Sequence, residues 1–188
     1  MCHHHMYPQF KMNKKPDEPS PRPTFIDLFS GCGGLSLGMT NAGFLGIFAV
    51  EKAADAFLTF RSNLVDNEED PRFAWPKWLP KKSIGIEDFL AKYSHRLARL
   101  RKVSLITGGP PCQGFSFAGR RNARDPRNKL FRKYVTFVDA VKPQMIMLEN
   151  VPGMKAVHGD GNTDGKSGRR RKRKSYYDKL IEALDRIG

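Results

Sequence analysis

The chain has 188 residues, enough for one well-cored domain and too few for two comfortable ones. Lys+Arg 33 against Asp+Glu 19 leaves a net charge of +14, an excess that favours a polyanionic partner through phosphate contacts. The cysteines are only Cys2, Cys32 and Cys112, and no apolar run approaches the roughly 18 residues of a membrane helix, which excludes a disulfide scaffold and a helical span. The expected setting is a reducing one, cytoplasmic in a bacterium or nuclear in a eukaryote.

The opening Met1-Cys2-His3-His4-His5-Met6 reads as the remnant of an artificial leader, and no metal is expected in the fold. Residues 7–23, rich in Pro, Lys and acidic side chains, read as a flexible lead-in, so the domain is expected over 24–188. Thr24 to Phe29 is a short apolar run closed by Ser30-Gly31-Cys32-Gly33-Gly34, the pattern of a buried strand entering a Gly-rich turn. Leu35 to Asn41 continues as a helix ended by Gly43, Phe44 to Val50 is a second strand, and Ala53 to Asn63 is a second helix. Residues 64–82, with Trp75 and Trp78, are irregular, and Ile86 to Arg101 is a basic amphipathic helix. Val103 to Thr107 is a third strand, Lys129 to Val141 a helix, Met145 to Leu148 a fourth strand and Tyr176 to Ile187 a last helix. Alternation of strands and helices predicts an α/β fold with a mainly parallel sheet, whose ligands lie beyond the carboxyl ends of the strands.

Each unusual segment falls at such an end. Glycines at 31, 33 and 34 permit positive φ and close approach of a ligand to the backbone, while the following helix amides suit an anion. A tight turn alone would explain as much. Glu51, closing the second strand about 20 residues on, is placed as an acid that binds ribose hydroxyls, and favours an adenosyl cofactor. The loop lacks the G-x-G-x-x-G spacing of a dinucleotide site. Gly108-Gly109-Pro110-Pro111-Cys112-Gln113-Gly114-Phe115-Ser116 sets a thiol on a loop stiffened by prolines. A free Cys is more often buried and inert, but Pro and Gly are poor core neighbours. Glu149-Asn150-Val151 closes the fourth strand and brings a carboxyl group toward the same end; an ion pair or solvated strand end is the plainer alternative. A thiol needs its pKa lowered by ~1.5 units to be largely ionised at neutral pH, about 2 kcal/mol that amides and cations would supply.

Together these motifs resemble the DNA cytosine-5 methyltransferases, over about residues 24–155 and again in the 176–188 helix. The resemblance implies a Rossmann-like S-adenosylmethionine-dependent fold, a restriction–modification setting, and methyl transfer to C5 of cytosine through a covalent adduct of Cys112 with C6. Glu149 would act at N3. The cofactor would lie against Asp27, Phe29, Ser30, Gly31, Cys32, Gly33, Gly34, Glu51, Lys52, Pro110 and Leu130, with Asp88, or equally Glu87, at the adenine. Double-stranded DNA with a flipped cytosine would be held by Gln113, Ser116, Arg120, Arg121 and Arg124, within a basic stretch running to Arg132 and Lys133. The family's Gln-x-Arg-x-Arg strand, target-recognition domain and C-terminal Asn segment have no counterpart before Gly188. A truncated or split enzyme, weak or inactive without a complementing portion, is therefore expected. An RNA (tRNA) cytosine methyltransferase and a silent cofactor- or DNA-binding fragment are the alternatives. Residues 158–174 are expected to be mobile, and the run Arg169 to Lys174 within them reads as a nonspecific DNA contact or a chance likeness to a nuclear localisation signal, without catalytic role.

Overall fold

The computed structural model describes residues 21–67, 71–100, 102–110, 130–149 and 175–187. The elements are β1 (Thr24–Leu28), α1 (Gly34–Asn41), β2 (Leu45–Val50), α2 (Ala54–Leu64), α3 (Ile86–Leu97), β3 (Leu105–Gly108), α4 (Leu130–Val141), β4 (Met145–Leu148) and α5 (Tyr176–Asp185). The strands form one sheet in the order β2-β1-β3-β4, and every pairing is parallel, as the alternation of elements predicts. Boundaries differ from the sequence reading by a few residues, most at α3, which stops at Leu97 rather than Arg101.

Side chains alternate between the two faces of the sheet. On one face Phe25, Ala49 and Leu105 meet Phe57, Phe60 and Leu64 of α2. On the other, Ile26, Leu28, Phe48, Val50 and Ile106 meet Phe89 of α3 and Phe137, Val138 and Val141 of α4. Cover on both faces is why β1 and β3 read as continuous apolar runs rather than alternating ones. Each fully buried Phe contributes roughly 1.5–3 kcal/mol of burial free energy, and Phe25, Phe48, Phe60, Phe89 and Phe137 are all inaccessible to solvent.

Two differences from the sequence reading have clear causes. The stretch expected to be irregular supplies part of the core: Phe73 bridges to Gly46 on the outer edge of β2, and Trp75 and Trp78 set their rings edge-on to Phe48. Trp75 can be buried there because its Nε1–H donates to the Leu79 carbonyl at 2.8 Å. β4, read as an apolar strand like β3, lies at the sheet's edge, and Met145, Ile146 and Met147 are exposed. At the C-terminus α5 begins with a capping box: the Ser175 hydroxyl accepts from the Asp178 amide, and the Asp178 carboxylate accepts from the Ser175 amide. No described helix is long and apolar enough to cross a membrane.

Candidate active site

Parallel pairing brings all four strands to a common carboxyl edge. Leu28 stands beside Val50 and Gly108, and Gly108 beside Leu148. The next residues in sequence, Phe29, Glu51, Gly109 and Glu149, therefore emerge side by side, as the placement of the motifs requires.

The Gly-rich loop is shaped by backbone bonds to the end of β2. Phe29 and Ser30 both donate their amides to the Val50 carbonyl, at 2.7 and 3.3 Å. Phe29 does so at φ 61°, an uncommon conformation for an aromatic residue, and Gly31 and Gly33 follow at 54° and 95°. A side chain on Gly33 would meet Leu64 at 2.7 Å and Phe60 at 2.8 Å, so this glycine lets the loop sit directly on α2. At Gly31 and Gly34 the space a side chain would take is open. The loop is thus packed tightly on one side and free on the other, a cradle that fits a ligand against bare backbone. Glu51 ties this cradle together: Oε2 accepts from the Gly31 amide at 2.9 Å and Oε1 from the Ala53 amide at 2.7 Å. Each oxygen retains lone pairs for a further donor such as a ribose hydroxyl.

Around Glu51 the structure gathers two other expected contacts. The Ile84 amide donates to the Glu51 carbonyl at 2.7 Å, which holds the approach to α3 beside the end of β2. A side chain on Gly85 would lie 3.7 Å from both Glu87 Oε2 and Lys52 Cδ. Glu87 and Asp88 occupy the exposed first turn of α3. Cys32 is exposed in the loop, and Ser30 is buried, its hydroxyl without a hydrogen-bond partner among the described residues. Phe29 and Leu130 are half-buried against the same core cluster.

Asp27, one of the residues expected to line the cofactor site, lies in β1. It is 1% exposed, beneath the loop rather than on its surface. Its Oδ2 accepts from the Ser36 hydroxyl at 2.6 Å, joining the end of β1 to α1. Burial pushes its carboxyl up to about 6 against bonds from Ser36 and Thr107, with the Glu51 and Glu149 charges adding to the rise. The folded value lies above the unfolded one of 3.8, so the folded chain holds a proton the unfolded chain has released. The stability this contributes is full below pH about 4 and lost as pH rises through about 6, a swing on the order of 3 kcal/mol. Asp27→Asn is expected to remove that slope from the stability–pH curve. Urea melts of both proteins across pH 4 to 8 measure it, and an unchanged slope in the variant would refute the assignment.

Glu149 follows β4, and its amide donates to the Gly108 carbonyl at 2.9 Å. Its carboxyl is exposed to solvent, and a side chain on Gly109 would come within 3.5 Å of Oε2. The acid thus lies against the first residues of the segment that leads to Cys112, past the buried Pro110. Cys112 itself, with Gln113, Ser116, Arg120, Arg121 and Arg124, lies outside the described residues, as do residues 150–174 with the basic run. Arg132 and Lys133 are exposed on α4. Sequence reasoning missed Ser36 and Tyr134: a serine in a helix carries no signal of its own, and Tyr134 counts as one more apolar position on α4.

Residues 23–164 match the model of the C-5 cytosine-specific DNA methylase family. The chain is 38% identical over 143 residues to the type II methyltransferase M1.HphI of Haemophilus parahaemolyticus, a match that takes in 74% of this chain and 35% of that protein. It is 35% identical over 128 residues to the type II methyltransferase M.HgiGI of Herpetosiphon aurantiacus, covering 67% of this chain and 88% of the relative. Against M1.HphI and M.DdeI of Desulfomicrobium norvegicum it spans only about a third of the relative's length, 35% and 28%. Among solved structures it resembles a prophage-encoded E. coli protein described as a DNA modification methyltransferase, with TM-score 0.51 and 28% identity over 87% of this chain and 38% of that one. A family match over most of the chain, on a parallel sheet whose carboxyl edge carries the Gly-rich cradle, Glu51 and Glu149, makes this chain a member of the C-5 cytosine-specific DNA methylase family.

Proposed function

We propose that this chain is the cofactor-binding and catalytic portion of an enzyme that methylates C5 of cytosine in double-stranded DNA. The observation that carries the reading is the meeting of Glu149 with Gly109 at the sheet edge, three residues before Cys112 and beside the cradle held by Glu51. S-adenosylmethionine would be held by the open backbone at Gly31 and Gly34, by Glu51, and by Phe29, Ser30, Cys32, Lys52, Pro110, Leu130 and the 87–88 turn. When bound it supplies an electrophilic methyl group. Cytosine C5 is a weak nucleophile, so the protein must activate the ring. The Cys112 thiolate adds to C6, the ring's C5–C6 π electrons move to C5, and the Glu149 carboxyl gives its proton to N3 to relieve the charge that develops. After C5 is alkylated, a water acting as base takes the C5 proton, the C6–S bond breaks to return the Cys112 thiolate, and N3 gives its proton back to the Glu149 carboxylate.

C6 is shielded in a stacked duplex, so the base must be flipped out at a cost of a few kcal/mol. Gln113, Ser116, Arg120, Arg121 and Arg124, with the exposed Arg132 and Lys133, are the groups proposed to offset that cost at the phosphates. Target choice and closure of the cofactor site are assigned to a complementing portion; the chain spans 35% of M1.HphI and 28% of M.DdeI. The test is a duplex with 5-fluorocytosine at the target position, offered to the chain supplemented with that portion in cis or in trans. Fluorine replaces the proton needed for release, so a covalent adduct is expected on Cys112, located by mass spectrometry. An adduct on Cys32, or none with DNA but one with a fluorinated tRNA, would overturn the reading.

A further inference from the structure

The two edges of the sheet are finished differently. Outside β2, Gly46 exchanges backbone bonds with the 72–74 segment: its amide donates to the Arg72 carbonyl at 2.9 Å, and its carbonyl accepts from the Ala74 amide at 2.7 Å. Outside β4 no strand pairs among the described residues. The Met145 and Glu149 amides donate inward, to the Ser104 and Gly108 carbonyls, at 3.0 and 2.9 Å. Strand alternation therefore turns the backbone groups of Ile146 and Leu148 outward, to the open edge. Such an edge is a template for another strand. Its side chains are apolar and uncovered as well: Met145 is 58%, Ile146 38% and Met147 42% exposed, so neither face of β4 is closed over. Among the described residues seven large apolar side chains are exposed, and five of them lie on β4 or on α5, where they are Tyr177 and Ile181. Leu148 packs against Phe131 of α4 and Leu180 of α5, so α5 stands beside this edge. Charge brackets the strand: the exposed Lys142 precedes it and the exposed Glu149 follows it.

We propose that β4 is an interface between two copies of this chain, which pair antiparallel about a twofold axis perpendicular to the sheet and join their sheets into one. A twofold contact uses the same patch on both copies, so the patch must complement itself. β4 does so in one register. With Ile146 opposite Ile146 of the second copy, the outward amide and carbonyl of each bond to those of the other, the hydrogen-bonded pair of an antiparallel ladder. Met145 then faces Met147 of the second copy, twice, on the side of the sheet where Leu105, in register with Met145, meets α2. Ile146, in register with Ile106, meets its twin on the α4 side. A shift of one residue would oppose Ile146 and Met147, whose side chains leave opposite faces. Shifts of two would set Met145 opposite Glu149 or Ile146 opposite Gln144. The charges agree with this direction: an antiparallel pair brings Lys142 of each copy to the Glu149 end of the other, whereas a parallel pair would set like charges together. The net charge of +14 on each copy opposes association, so the pair should tighten as salt screens that repulsion. The interface is independent of the proposed reaction, since the carboxyl edges of the two copies point in opposite directions.

The test is the mass of the whole chain in solution, read by sedimentation velocity over a range of concentrations at low and high salt. A monomer–dimer equilibrium that moves toward the dimer with concentration and with salt is expected. Ile146→Pro removes the outward amide and keeps those that bond to β3, and should weaken the dimer at least about tenfold. Met147→Lys sets a charge against Met145 of the second copy and should do the same. That side chain is already exposed, so the variant should keep the fold, as circular dichroism checks, and it serves if the proline variant does not fold. Ile146→Cys gives a positive reading: directly opposed Cα atoms in such a pair are about 5.5 Å apart, within disulfide reach, so mild oxidation should join two copies at position 146. Peptide mapping separates that bridge from any made by Cys2, Cys32 or Cys112. A chain that stays single at every concentration and salt would overturn the proposal and leave the edge to a strand of a different polypeptide. A dimer that keeps its strength in Met147→Lys and Ile146→Pro would overturn it equally, as would a dimer of Ile146→Cys that forms no bridge at that position.

Discussion

Substitution of Cys112 by serine is expected to abolish methyl transfer in the completed enzyme, by a factor on the order of 10³ or more, and to leave the folded chain's stability nearly unchanged. A serine hydroxyl is scarcely ionised at neutral pH, and no general base stands beside it in sequence, so addition to C6 loses its nucleophile. Glu149→Gln should act on the same step differently. The amide retains the shape and some hydrogen bonding at N3 but has no proton to transfer, and loss of a general acid costs about 10²–10⁴-fold. The two are separated by the trapping experiment: the Cys112 variant should form no adduct at all, while the Glu149 variant should form the same adduct slowly. Rapid-quench kinetics with tritiated cofactor, together with denaturing gels of the fluorinated duplex, provide both readings. An adduct that forms at the original rate in Glu149→Gln would remove that residue from the chemistry.

Loss of the Glu51 carboxylate is expected to have the second largest effect, and on binding rather than on the chemical step. This one side chain accepts from Gly31 and from Ala53, so it sets the curve of the cradle and the start of α2 together. Hydrogen bonds to a charged group are worth about 1.5–3 kcal/mol each in protected surroundings, and less here because Glu51 is half-exposed and water can replace it. Glu51→Ala should therefore weaken binding of the demethylated cofactor product by about 10–100-fold and lower folding stability by ~1–2 kcal/mol. Glu51→Gln, which keeps an acceptor for one amide, should fall between the two. Calorimetry with the product, alongside urea denaturation, distinguishes a lost ligand contact from a collapsed loop. Equal affinity in Glu51→Ala and the parent would remove this residue from the site.

The features legible in the sequence are those whose physical cause is local. A short apolar run stopped by glycines means a buried strand entering a turn wherever it occurs, and Thr24 to Gly34 could be read so without knowing its neighbours. The same holds for 103–109, where glycines again stop an apolar run, and for the prediction that the strands end at one edge, because parallel strands joined by helices have their carboxyl ends in common. The sequence alone therefore determined the fold class, the family resemblance and the gathering of Glu51 and Glu149 beside the Gly-rich loop. Only the tertiary structure decided what depends on contacts between distant segments. Trp75 and Trp78 belong to the core because Phe48 lies opposite them, and nothing in their own surroundings says so. The exposure of β4 follows from what packs on it rather than from its composition or its edge position, since β2 at the opposite edge is buried against Phe73, Trp75 and Trp78. Asp27 reads in the sequence only as a residue of the strand that enters the Gly-rich loop, and the fold buries its carboxyl and bonds it to Ser36. Tyr134, one apolar position among several on α4, becomes a buried hydroxyl only when α4 packs against Gly108. Periodicity assigns a side chain to a face, but what it meets there is set by the other elements that share the core.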